Sequence, residues 1–160
     1  LGVELLIDHA VAGATMYAVL FAGLMEFIAG MWLIAKGESY LASIVTLFGG
    51  WLIGLFLLNT QGESLGIANS VGTAWYMFAL LPPIAFLSIP AFYMRRIKLI
   101  CAFIALFALV LFLGLGFVMG PSTGGQSSMV IAGWCSFAAM CFIWWLMYDN
   151  VIELMHPHEE

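Results

Sequence analysis

A carboxylate inside a long apolar run is the first residue whose chemistry needs an account. Glu26 stands within "FAGLMEFIAGMWLIAKGES", residues 21–39, and the next charge along the chain is Lys36. A charge at the centre of a bilayer costs roughly 2.5–3.5 kcal/mol on insertion scales, and such residues mark solute or proton pathways by default. At helical spacing Glu26 shares a face with Ala22, Gly23, Ala29 and Gly30, a face that points to a neighbouring helix or a pore rather than to lipid. Two readings stay open. One is a pore-facing carboxyl, protonated part of the time, that handles a proton or orients a solute. The other is a protonated Glu held in an interhelical hydrogen bond.

The remaining polar residues carry weaker signals. Asp8 and His9 form either an outer vestibule or pH-responsive pair, or plain interfacial polar groups. His156 and His158 offer metal ligands, although a solvated tail explains them as well, and Asn59 and Asn69 read as caps beside a loop. Cys101, Cys135 and Cys141 all fall in apolar runs and read as small buried hydrophobes. There is no HExxH, GxSxG, Gly-rich phosphate loop or Cys/His cluster, so neither an enzyme nor a metal site is expected. No cofactor is expected either: His9 is the only histidine beside a span, and haem needs an axial ligand. Phe21 and Phe48 are candidates to narrow a pore, each lying beside glycines that let helices approach.

The elements that must position these residues follow from composition. The 160 residues are 64% hydrophobic and 8% charged, with a mean hydropathy of +1.10, against about 25% charged in soluble domains. Apolar runs exceed the ~20 residues that cross a bilayer and do not alternate as barrel strands do. The expected fold class is therefore all-α, a polytopic transmembrane helical bundle forming a single domain over residues 1–160. Five spans are expected, at about 11–35, 40–58, 73–94, 99–119 and 129–152. Pro82, Pro83 and Pro90 should kink the third, and the Gly/Ser-rich "GPSTGGQSS" should be a loop before the fifth. Net charge is −5, and nothing is basic enough for nucleic acid.

Orientation follows from the cations. Lys36, Arg95, Arg96 and Lys98 are the only Lys/Arg, and alternate crossing puts them all on one side with the C-terminus. The positive-inside rule makes that side cytoplasmic. Small residues at Ala22, Gly23, Ala29, Gly30, Gly49, Gly50, Gly54, Gly114, Gly116, Ala132 and Gly133 permit close helix approach, and a tightly packed bundle with no transport role accounts for them by itself.

At "FAGLMEFIAGMWLIAKGES" the chain resembles the acetate uptake transporter family, also called the succinate–acetate permease family. Members carry a segment similar to "YGGxxQxxAGMWEFRKGNTFGxTAFxSYGxFW". Phe21, Gly23, Glu26, Ala29, Gly30, Met31, Trp32, Lys36, Gly37, Ser39, Tyr40, Thr46, Phe48 and Gly49 match it identically or conservatively without a gap. Ala132-Gly133-Trp134 is similar to the start of the family's last helix. The resemblance implies a six-helix protomer in a hexamer, one pore per protomer, and proton-linked movement of acetate and related short monocarboxylates. It also implies that Phe48 stands where the family's pore Tyr lies and Glu26 where Gln is common. Departures are the absent "NPAPLGL" first-helix signature, Leu33 in place of Glu, and the missing hydroxyl at Phe48. The expectation from the signature is an upstream helix or a shortened relative.

The expected function is thus a membrane channel or proton-linked carrier for a small carboxylic acid, with Phe21, Gly23, Glu26, Phe48 and Gly49 lining or shaping the pathway. Its partners would be the substrate, the lipid bilayer and further copies of the chain. Two alternatives remain: a non-transporting accessory subunit bound to other membrane subunits, and a urea/amide-type small-solute channel.

Overall fold

The computed structural model describes Leu6 and residues 12–62, 64–67 and 69–155. Its helices are α1 Ala12–Ala35, α2 Ser39–Thr60, α3 Ser70–Phe78, α4 Leu81–Tyr93, α5 Ile97–Met119 and α6 Thr123–Met155. No strand occurs among the described residues. Among the described residues, five segments are long and apolar enough to cross a membrane: Gly13–Ala35, Ser39–Thr60, Ser70–Tyr93, Ile97–Met119 and Thr123–Asp149. The protein is an all-α, multi-pass integral membrane bundle.

Two boundaries differ from the sequence expectation, each for a local reason. The third crossing is broken as well as proline-bearing. α3 stops at Phe78, Ala79-Leu80 turns, and α4 restarts with prolines in its first turn. A proline there forfeits a donor that would have had no partner anyway, so the sequence favours a fresh helix start over a bent continuation. Pro90 is carried inside α4. The expected loop at residues 120–128 is only a tight turn, because Ser122 starts α6 early. Its hydroxyl accepts from Gly125 N at 3.2 Å, and its carbonyl accepts from Gln126 N at 3.0 Å. Ser127 and Ser128 then donate to the carbonyls of Thr123 and Gly124, both at 2.9 Å. Hydroxyls satisfied one turn back make these serines compatible with a helix.

The two links that carry cations close alike. After α1, Glu38 N reaches Leu33 O at 3.0 Å around Gly37, whose φ is +81°. After α4, Arg96 N reaches Ala91 O at 3.1 Å around Arg95, whose φ is +53°. Both are left-handed helix stops of the kind that favours glycine; Arg95 occupies its stop at a steric cost.

Tertiary packing builds two antiparallel hairpins, α1 with α2 and α5 with α6, and lays the broken pair α3–α4 along α5. The core gathers Leu55, Met77, Ile84 and Val110, all fully buried, with Phe103, Leu109 and Leu113 of α5. Trp75, Phe86, Trp134 and Trp144 are exposed, as lipid-facing side chains are when the surrounding solvent is hydrocarbon. Small residues set the closest approaches. Gly114 faces the ring of Phe78, Gly116 faces Met129, and Gly133 faces Leu6.

Candidate functional site

The seam between α1 and α2 holds most of the residues singled out above. A Cβ added at Gly49 would stand 2.6 Å from Phe27 N, 2.8 Å from Gly23 O and 3.1 Å from the Glu26 carbonyl carbon. A Cβ at Gly23 would stand 2.9 Å from Gly49 O. The two backbones therefore touch, with no room for a side chain between them. Further along the seam, Gly30 makes space for the Thr46 side chain.

Glu26 flanks this contact, on the residue that Gly49 abuts. It is half-buried, and its Oε2 is sealed from solvent with no hydrogen-bond partner. This is a costly arrangement, since a buried polar atom left unpaired forfeits about 1–3 kcal/mol. An interhelical hydrogen bond at Oε2, one of the two readings of Glu26, is thus not made here. Phe48 precedes Gly49 and packs, partly buried, against the core. Phe21 stands apart. It lies two residues before Gly23, about 200° round the helix, and is 67% exposed. The structure thus joins Gly23, Glu26 and Gly49, sets Phe48 beside them facing the core, and turns Phe21 outward.

Sequence reasoning passed over a second polar feature on the other side of α2. Trp51 stacks on Tyr76 with ring centroids 6.0 Å apart and planes 11° from parallel, and Tyr76 donates its hydroxyl to Trp51 O at 2.7 Å. Tyr40 donates to Leu87 O at 2.6 Å. These two hydroxyls tie the α1–α2 hairpin to α3 and α4. Between the ties runs a groove of about 380 Å³, lined by Thr46, Leu47, Gly50, Trp51, Tyr76 and Leu80 among others. Trp51 Nε1 is buried without a partner, and so is Thr46 Oγ1, which faces Gly30 across the α1–α2 seam. The available signal was Trp51 itself, a tryptophan in mid-span rather than in the interfacial belt where Trp is enriched.

The other candidates have ordinary surroundings. Asn69 caps α3, accepting from Gly72 N at 2.7 Å, while Asn59 donates to Leu55 O at 2.8 Å within α2. Cys101 and Cys135 are half-buried, and Cys141 is exposed rather than buried as expected. Among the described residues, no three His, Cys, Asp or Glu gather to hold a metal ion. Asp8, His9, His156 and His158 lie outside the described residues. Lys98 pairs with Asp149 and lies 4.3 Å from the Trp145 ring centroid, joining the start of α5 to the far end of α6. Comparison with protein-family models, curated proteins and solved structures finds no match for this chain.

Proposed function

We propose that this protein is a membrane channel or proton-linked carrier for acetate and similar short monocarboxylates, a member of the acetate uptake transporter family. The observation that carries the reading is the Glu26 carboxyl, held in mid-span with a sealed oxygen and no partner. An unpaired carboxylate there is expensive and a protonated one far less so, so the group is suited to carry a proton with a passing acid. The close contact of Gly23 with Gly49 supports a role for these glycines in shaping the pathway beside Glu26, with Phe48 as its aromatic neighbour. Phe21, exposed on the far side of α1, serves the assembly of several copies better than the path within one. Assembly as a hexamer and a cytoplasmic C-terminus belong to the same proposal. The latter is supported by the placing of Lys36, Arg95, Arg96 and Lys98 in or beside the α1–α2 and α4–α5 links.

The test is labelled acetate uptake into proteoliposomes at two external pH values, wild type beside Glu26→Gln. Saturable uptake that rises as external pH falls, with a pH dependence altered in the variant, is the expected result. Uptake that is flat with pH refutes proton linkage. Uptake no greater than in empty liposomes, from folded protein, refutes transport and favours an accessory subunit.

A further inference from the structure

We propose that a trough between α4 and α5 holds one acyl tail of an anionic phospholipid, whose headgroup lies at Arg95 and Arg96 in the link between those helices. The proposal rests on the membrane bundle and is independent of transport.

Three observations on this face point to one amphiphile. The first is a lining that asks for no polar partner. The trough, about 280 Å³, runs between Ile84 and Phe92 along α4 and between Phe103 and Leu111 along α5. Ser88 supplies the one polar side chain of that lining, and its hydroxyl already donates to Ala85 O at 2.7 Å. An apolar tail leaves nothing unpaired there, whereas a polar solute finds no partner. The second is length. The helix rises about 12 Å from Ile84 to Phe92, most of the ~15 Å that one leaflet contributes to a ~30 Å hydrocarbon core. The third is charge at one end. Phe92 precedes Arg95 by less than one turn, and Arg96 stands one heptad before Phe103, close to the same line along α5. Both arginines are exposed and neither makes an ion pair with a described residue, while Lys98 is taken by Asp149 of α6.

Access needs no movement of the bundle, because the trough opens sideways to lipid. Phe92 and Ile104 on its two rims are 51% and 57% exposed. Apolar surfaces gain little by exchanging lipid tails for one another, so the trough selects a tail by fit and the arginines supply the preference for charge. A guanidinium fork matches a phosphate bidentately, and a basic residue beside anionic lipid is worth about fivefold in affinity. Tyr93, strongly exposed at the same end, is the kind of amphipathic ring that headgroup depth favours.

The experiment titrates the full chain in detergent micelles with phosphatidylglycerol or with phosphatidylcholine of identical tails, and native mass spectrometry reads occupancy by the first bound lipid. With two arginines engaged, phosphatidylglycerol should bind about thirtyfold tighter, and the gap should narrow as salt is raised. Arg95→Gly combined with Arg96→Gln should close the gap. The first of these changes relieves a φ of +53°, so charge is removed there without straining the fold. Lys36→Gln, which removes a cation from the α1–α2 link, should leave the gap unchanged. Ser88→Leu and Ala108→Leu each fill the trough and should abolish the phosphatidylglycerol-bound peak, with circular dichroism unchanged from wild type. Glycerol phosphate in excess should not displace the lipid. Equal affinity for the two lipids overturns the proposal, and so does a preference that survives loss of both arginines. An equal loss with Lys36→Gln refutes a local site, and displacement by glycerol phosphate refutes a role for the tail. Retained occupancy in either folded trough-filled variant refutes the trough; should both misfold, the arginine pair and the glycerol phosphate competition still decide.

Discussion

Replacing Gly49 by Ala inserts one methyl group where two helix backbones meet, and the neighbouring Gly50→Ala supplies the control. At Gly49 the new Cβ would sit 2.6 Å from Phe27 N, where ordinary van der Waals contact begins near 3.4 Å. The shortfall is about 0.8 Å, and Gly23 O at 2.8 Å closes the same space. Neither obstacle is the end of a flexible side chain, so relief comes only by parting α1 from α2. Overpacking of this kind costs typically 1–3 kcal/mol, and obstruction by rigid backbone places Gly49→Ala in the upper half of that range. At Gly50 the added methyl meets nothing within 4 Å, and the better helix propensity of Ala is worth up to about 1 kcal/mol in water. Gly50→Ala is therefore expected to be neutral or slightly stabilising. The assay is reversible unfolding in mixed micelles, read by circular dichroism, with wild type and both variants under one condition. Equal stability of Gly49→Ala and Gly50→Ala would refute the reasoning, because the close contact would then carry no energetic consequence.

Arg95→Gly relieves a left-handed residue at φ +53° and should stabilise the bundle by about 1 kcal/mol; Arg95→Ala, which keeps the Cβ, should not, and the same unfolding assay separates them. Tyr76→Phe removes the 2.7 Å hydrogen bond to Trp51 O and should cost about 0.5–1.5 kcal/mol. It should also loosen the groove wall, seen as faster hydrogen exchange at the start of α4 relative to α5.

Much of the architecture was legible because membrane helices answer to few constraints. Continuous apolar runs must be helical, since lipid offers no partner to an exposed backbone. The spans of α1, α2 and α5 follow closely from where polar residues resume. The expected start of the last span missed Thr123 because hydroxyl-rich "STGGQSS" looks like loop by composition, while its serines in fact bond back to the helix carbonyls. In the third span the prolines announced a disturbance. Whether it became a bend or a break depended on the Ala79-Leu80 turn and on where α5 receives the two halves.

The site divides in the same way. The position of Glu26 in an apolar run, and the glycines that share its face, are facts of one dimension, readable from spacing on a single helix. That Gly23 meets Gly49, that Oε2 of Glu26 is left without a partner, and that Phe21 turns away required α2 to be in place. The groove was not legible at all. Trp51 and Leu47 belong to α2 and Tyr76 to α3, and no periodicity along one helix relates residues of two. Hydropathy along the chain decides which segments enter the membrane, whereas the partner of each buried polar atom depends on distances between helices, which only tertiary packing sets.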